Sequence, residues 1–158
     1  MELPRRKPNR LPEYDYSRAG YYFITVCTKK KEPILWLPSV GATCGRPPLS
    51  PLGLIVEDEL LCLDGIYANI RLDKFVVMPN HIHLILIIES DGCGRPQVAP
   101  TISRVMKQFK GIVTKRAGFP LWQKSFHDHV IRNEADYLRV WDYIDTNPLK
   151  WREDCYYV

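Results

Sequence analysis

Four features are missing from the 158-residue sequence, and each absence argues against a class of protein. No apolar run reaches the roughly 20 residues that span a membrane, and the N-terminal MELPRRKPNRLPEYDYS lacks the apolar segment of a secretory signal, so we expect a cytoplasmic protein. The five cysteines form no C-x-x-C pair, which argues against a zinc knuckle or a disulfide framework. A glycine-rich phosphate loop is also missing, so nothing indicates an ATP site.

The composition is that of one compact domain whose basic residues could bind a polyanion. A hydrophobic content of 46% in a chain of this length allows one core and is too little for two ordinary domains. The net charge is only +4, but the basic residues are clustered, which suits a polyanion, although a solvated surface is the commoner explanation for any one cluster. The candidate residues for binding such a polyanion, which would be DNA if the resemblance described below holds, are Arg5, Arg6, Lys7, Arg10, Arg104, Lys107, Lys110, Lys115 and Arg116.

The order of apolar segments predicts an α+β protein with the ferredoxin-like pattern β-α-β-β-α-β, an antiparallel sheet, and an additional C-terminal helix. Strands are predicted at 21–28, 70–78, 81–88 and 126–132, and helices at about 52–67, 101–116 and 134–146. Residues 1–20 are basic, rich in proline and aperiodic. We therefore expect an N-terminal arm over 1–20 and a single domain over 21–158.

The strand predicted at 81–88 carries two histidines on one face. His81 and His83 occupy odd positions, whereas the even positions are wholly apolar and should pack under the two amphipathic helices. The histidines then lie on the opposite, barer face. Two neighbouring imidazoles can bind a divalent metal together with oxygen donors, but two hydrogen-bonded surface histidines are the commoner outcome for an isolated His-x-His.

The last predicted helix contains a tyrosine that does not follow the apolar pattern. At about 100° per residue, Tyr143 falls roughly 140° from the centre of the predicted apolar stripe, so its hydroxyl is not required by the core. Asn147 lies one turn further on and can address the same point. For a helical tyrosine considered alone, packing remains the commoner role. The predicted stripe consists of Tyr137, Leu138, Trp141 and Ile144.

Four segments together resemble the REP-associated tyrosine transposases, which are single-tyrosine members of the HUH endonuclease superfamily related to insertion-sequence transposases. The segments are RLPEYDYSRAGYYFITVCT, MPNHIHLIL, LWQKSFHDHVIRNEADY and DYIDTNPLKW. They occur in the same order and cover nearly the whole chain, so this resemblance is far more specific than the His-x-His motif alone.

The resemblance implies a metal-dependent endonuclease and strand-transferase that cleaves single-stranded DNA at or near hairpin-forming repeats. By position in the motifs, His81, His83 and Asn147 would bind Mg²⁺ or Mn²⁺, and Tyr143 would be the catalytic nucleophile on the C-terminal helix. The expected intermediate is a 5′-phosphotyrosine, and the expected state is a monomer rather than a dimer. Residues 21–158 would then form one HUH transposase-like catalytic domain.

Two other functions are compatible with parts of the pattern. The first is a non-catalytic domain of ferredoxin-like fold that binds single-stranded nucleic acid and keeps a vestigial metal site. The second is a metallohydrolase acting on small molecules. We rank it last, because such enzymes usually bring more ligands, and His83 is followed only by Leu-Ile-Leu-Ile-Ile.

Overall fold

A computed structural model describes residues 11–38, 48–90 and 101–158. The strands are β1 (Gly20–Cys27), β2 (Ile70–Val77), β3 (His81–Ile88) and β4 (His127–Ile131). The helices are α1 (Pro51–Leu61), α2 (Leu63–Ile66), α3 (Ile102–Ala117) and α4 (Glu134–Thr146). Short 3-10 segments cover Lys29–Lys31 and Asn147–Glu153.

The four strands form one antiparallel sheet in the order β2-β3-β1-β4. This is the ferredoxin-like α+β arrangement that the sequence predicts, and each strand end lies within one residue of its predicted position. The two central strands, β1 and β3, are paired over their full length, with Thr25 opposite His83 and Cys27 opposite His81. The histidines therefore lie on a central strand and not on an edge.

One face of the sheet packs against α1 and α3 to form the main core. The even residues of β3, such as Leu84 and Leu86, are fully buried there against Val56 of α1 and Val105 and Phe109 of α3. The period-2 pattern of β3 and the period-3.6 pattern of α3 meet in this layer, as the sequence predicts.

The helix predicted over 52–67 is divided into α1 and α2 at Cys62. The apolar periodicity continues through this break, which is why the sequence pattern did not reveal it. Side-chain caps fix the starts of the three longer helices: the side chains of Ser50, Thr101 and Asn133 each accept a hydrogen bond from a backbone N–H in the first turn. Gly118, with φ of 84°, ends α3 in the left-handed conformation.

The second face of the sheet is covered by α4, so the expectation of a barer face is wrong. Val140 and Ile144 of α4 are buried against Ile85 of β3 and Ile131 of β4. Tyr143 of α4 lies against His83, and Trp151 and Tyr156, which follow α4, lie against His81. His81 and His83 are 0% and 1% exposed and are not surface histidines.

The predicted apolar stripe of α4 is also wrong in part. Leu138 is 56% exposed and Trp141 is 38% exposed, whereas Val140, which was not in the stripe, is buried. The helix is rotated so that its Tyr137, Val140 and Ile144 side faces the sheet. Trp141 instead lies under the ammonium group of Lys74, whose Nζ is 3.6 Å from the ring centroid.

The segment before β1 contacts the main core through Tyr14 and Tyr16. Residues 1–10 lie outside the described part of the chain, so an arm over 1–20 stays a prediction. Among residues 11–38, 48–90 and 101–158, no helix is both long and apolar enough to cross a bilayer.

We predict opposite effects for alanine at two helical glycines. A Cβ at Gly53 would lie well inside van der Waals contact of the Leu35 carbonyl oxygen, whereas a Cβ at Gly111 meets no atom within 4 Å. Gly53→Ala should lower the free energy of unfolding by about 1–3 kcal/mol, and Gly111→Ala should raise it by about 0.5–1 kcal/mol because alanine favours the helix. Urea unfolding of both variants checks this, and equal shifts would contradict the close approach of α1 to Leu35.

Candidate metal and tyrosine site

Strand β3 brings the two imidazoles together at one end of the sheet face that α4 covers. The Nε2 atoms of His81 and His83 are 3.0 Å apart, and both rings are buried. Two nitrogens at this distance are held together by a shared proton or by a cation that both can bind. The pair therefore has the geometry of two ligands that point at one place.

The other nitrogen of each imidazole is held by a hydrogen-bonding partner. His81 Nδ1 lies 2.7 Å from Asn80 Oδ1. The amide of Asn80 has a defined orientation, because its Nδ2 donates to the carbonyl oxygens of Lys31 and Tyr156. Asn80 Oδ1 can only accept, so His81 carries its proton on Nδ1 and leaves the Nε2 lone pair available, as a metal-ligating histidine requires. His83 Nδ1 lies 2.7 Å from Thr25 Oγ1.

Burial keeps both imidazoles neutral. Desolvation lowers the pKa of His81 to about 4, although the nearby Asp154 carboxylate acts in the opposite direction. Desolvation is also the larger cause that lowers the pKa of His83 well below its usual range, and the nearby His81 lowers it further. Neutral imidazole is the form that binds a metal, so the buried pair is in the binding form at neutral pH.

Asp154 joins the histidines from the C-terminal end of the chain, and sequence reasoning missed it. Its ligand oxygen and the imidazole nitrogens of His81 and His83 all lie within 4.8 Å of one another, so the three residues form a group that could hold a metal ion. Asp154 Oδ2 is 3.9 Å from His81 Nε2, and its side chain is 2% exposed. No local motif marks Asp154, because the 3-10 segment Asn147–Glu153 brings it back to β3 only in the fold.

The structure places Tyr143 beside these residues, in the same chain. Its ring centroid is 5.1 Å from that of His83, and its hydroxyl donates to Asp154 Oδ2 across 3.5 Å. Burial is the larger cause that raises the pKa of Tyr143 to about 12, and the negative charge of Asp154 adds to it. A hydrogen bond from Asn147 lowers the pKa and so acts in the opposite direction. The phenol is therefore protonated at neutral pH, with a carboxylate as its acceptor.

Asn147 is buried beside Tyr143 and has an unused oxygen. It is the C-cap that follows Thr146, and it keeps helical backbone angles although Pro148 comes next. Its Oδ1 is buried and has no hydrogen-bond partner among the described residues, and a buried unpaired oxygen is costly unless a ligand satisfies it. Tyr143, Asn147 and Asp154 line one cleft of about 310 Å³, whose rim includes Arg139 and Lys150.

The basic residues of α3 lie on the helical layer, on the other side of the sheet from the histidines. Arg104, Lys107 and Lys115 are exposed. The ammonium group of Lys110 donates to the carbonyl oxygens of Gln123 and Lys124, and Arg116 pairs with Asp58 and Glu59. A role in DNA binding stays a prediction for all five. Arg5, Arg6, Lys7 and Arg10 lie outside the described residues.

Three curated relatives are similar to this chain, although no family model matches it. An uncharacterized protein of Haemophilus influenzae is 33% identical over 176 residues, covering 99% of this chain and 95% of that protein. A REP-associated tyrosine transposase of Escherichia coli K12 is 32% identical over 81 residues, which cover 51% of this chain and 45% of that protein. A putative REP-associated tyrosine transposase of H. influenzae is 21% identical over 151 residues, covering 86% and 74%.

A solved structure shares the fold over nearly the whole chain. It is a REP-associated tyrosine transposase bound to a REP hairpin, with a TM-score of 0.63 and 23% identity, and the match covers 96% of this chain and 74% of that one. At this identity the likeness establishes the fold alone.

We predict that acid destabilises the metal-free protein through the buried histidines. The pKa of folded His81 is about 4, below its ordinary value of 6.5, so between these values the unfolded chain binds more protons than the folded chain. The free energy of unfolding should therefore fall as the pH is lowered from about 6.5 towards 4. Denaturant unfolding with a chelator, compared with a His81→Gln, His83→Gln double variant, checks this, since parallel pH profiles would exclude the histidines as the cause.

Proposed function

We propose that the chain belongs to the family of REP-associated tyrosine transposases, as its similarity to two curated relatives suggests, and that it is a metal-dependent endonuclease and strand-transferase. Its substrate would be single-stranded DNA at or near hairpin-forming repeats. The observation that carries the proposal is the meeting, within one chain, of a buried histidine pair, an acidic oxygen and a tyrosine hydroxyl. One chain supplies all of these groups, which supports action as a monomer.

The residues fit a divalent cation, which we propose to be Mg²⁺ or Mn²⁺. His81 and His83 offer two nitrogens fixed through their Nδ1 partners, Asp154 offers a carboxylate oxygen, and Asn147 offers the unpaired Oδ1. A mixed set of imidazole and oxygen donors suits Mn²⁺ and is compatible with Mg²⁺. Such an ion would supply Lewis-acid polarisation of the scissile phosphate.

Tyr143 is the proposed nucleophile. Its oxygen forms a bond to phosphorus while the bond from phosphorus to the 3′ oxygen breaks, which leaves a 5′-phosphotyrosine and a free 3′-hydroxyl. Since the phenol is protonated at neutral pH, its proton must leave during attack, and Asp154 Oδ2, 3.5 Å from the hydroxyl, can accept it. The departing 3′ oxygen takes up a proton to become the 3′-hydroxyl. The reverse attack by a 3′-hydroxyl rejoins strands without an external energy source.

The exposed basic residues are proposed to bind the phosphates of the hairpin. Arg104, Lys107 and Lys115 on α3 present positive charge on the layer opposite the cleavage site, and Arg5, Arg6, Lys7 and Arg10 add charge near the N-terminus. Phosphate contacts of this kind position a nucleic acid without reading its bases, and they weaken as salt rises.

We predict that Tyr143→Phe abolishes the covalent adduct and leaves hairpin binding intact. Purified protein with Mn²⁺ and single-stranded hairpin DNA should give an adduct on denaturing gels, and the variant should lower cleavage by more than about a thousandfold. The matched control is Tyr67→Phe, which removes a hydroxyl that donates to Gln108 Oε1 in the helical layer. An adduct formed by Tyr143→Phe would overturn the assignment of the nucleophile.

We predict that Mn²⁺ binding depends on the buried cluster of His81, His83 and Asp154. Binding is measured as the loss of the electron paramagnetic resonance signal of free Mn²⁺. His83→Ala should abolish binding, and Thr25→Val, which removes the partner of His83 Nδ1, should weaken it by about 10- to 100-fold. Asp154→Asn and Asn147→Ala, measured side by side, identify the oxygen ligand. The control is Asp142→Asn, which changes an exposed carboxylate in the same cleft.

The non-catalytic alternative gives a different result in these assays. It requires equal hairpin affinity with and without Mn²⁺ and no adduct on any hairpin. One observation favours this alternative: the pKa of Tyr143 is raised to about 12, and a protonated phenol is a poor nucleophile.

A further inference from the structure

A second groove lies at the other end of α4, on the same sheet face as the histidines. It has a volume of about 440 Å³, which is within the range of small-molecule sites. Its floor is apolar, formed by Ile87 and Ile131, and Tyr21 lines it from β1. Arg132 and Glu134 lie where β4 passes into α4. The groove is separate from the cleft that contains Tyr143.

We propose that this groove binds one unpaired nucleobase of the DNA substrate and that it prefers a base with an exocyclic amine. The proposal rests on the proposed function, which supplies the single-stranded DNA, and it adds a base-reading site that the cleavage chemistry does not require. It follows from an exposed aromatic ring, from charged groups of both signs, and from the distance to the histidines.

Tyr21 provides the stacking surface. Its side chain is 42% exposed although it lies on a central strand, and its ring is held by an edge contact to Tyr137 at 5.5 Å. The Tyr137 hydroxyl in turn donates to Asp73 at 2.7 Å. Because these contacts fix the ring in advance, stacking an unpaired base on it costs little ordering.

The charges favour a base over a bare phosphate. Arg71 and Arg132 line the groove, but so do Asp73 and Glu134, and two carboxylates oppose a phosphate. Asp73 is occupied by Tyr137, which leaves Glu134 as an acceptor. Carboxylates accept from exocyclic amines such as that of cytosine, which carries two N–H donors, whereas unpaired thymine has no such amine and offers only its ring N3–H. The groove therefore has the groups to distinguish cytosine from thymine.

The register of the sheet gives the separation from the cleavage site. Tyr21 lies opposite Ile87, and Thr25, which contacts His83, lies four residues further along the same strand. Four residues of strand span about 14 Å at roughly 3.4 Å each. A stacked DNA strand advances about 3.4 Å per nucleotide, so the bound base is within about four nucleotides of the cleaved phosphate.

Fluorescence anisotropy tests the groove without cleavage. The probe is a DNA hairpin that carries a single-stranded flank of dC or of dT, or no flank, and the protein is the full chain with Tyr143→Phe in the absence of metal. We expect tighter binding of the dC flank than of the dT flank. Tyr21→Ala should weaken binding of the dC-flanked hairpin by about 5- to 150-fold, while Tyr21→Phe, which keeps the ring, should not.

Two further results complete the test. Glu134→Gln should remove the preference for dC over dT, and neither Tyr21→Ala nor Glu134→Gln should change binding of the hairpin without a flank, which reports the fold and the phosphate contacts. Equal affinities for dC and dT flanks, or an equal loss on the hairpin without a flank, would overturn the proposal. The proposed function would survive that outcome, because it is decided by the adduct. Failure of every hairpin to bind would also overturn the proposal for the groove, while the adduct assay with Mn²⁺ would still decide the proposed function.

Discussion

The packing of α4 on the sheet is the contact on which the candidate site depends. Val140 and Ile144 are buried against Ile85 and Ile131, and this contact places Tyr143 over His83. Together with Trp151 and Tyr156, which follow α4 and lie against His81, it excludes water from the imidazoles, which lowers the pKa of both and keeps them neutral. A helix that carried the same residues but packed elsewhere would leave two solvated histidines and an ordinary surface tyrosine.

The same burial has opposite consequences for the two kinds of group in the site. Desolvation favours neutral imidazole, which is the form needed to bind a metal, but it also favours neutral phenol, which is a poor nucleophile. Asp154 lies between these groups, near His81 and in hydrogen-bonding contact with Tyr143. Its carboxylate therefore bears both on the proposed metal ion and on the proton of Tyr143, the proposed nucleophile, so substitutions at Asp154 test both proposals.

The two faces of β3 were not equally predictable. The even face was correctly assigned because its apolar residues must be buried, and the helical patterns of α1 and α3 supply matching surfaces. On the odd face, the predicted stripe of α4 was wrong in part because apolar periodicity takes Trp141 as a core residue. In the fold, the ring of Trp141 instead packs against the ammonium group of Lys74 on β2. The residue pattern of one helix cannot predict a contact with a residue of a distant strand.

The sequence by itself determined the strand order along the chain, the shared face of His81 and His83, and the position of Asn147 one turn after Tyr143, because these depend on local periodicity. Only the tertiary structure decided that the histidines are buried, that Tyr143 meets them in the same chain, and that Asp154 completes the group. The physical reason is that burial and the meeting of distant residues depend on how elements dock, and docking is set by the packing of whole surfaces.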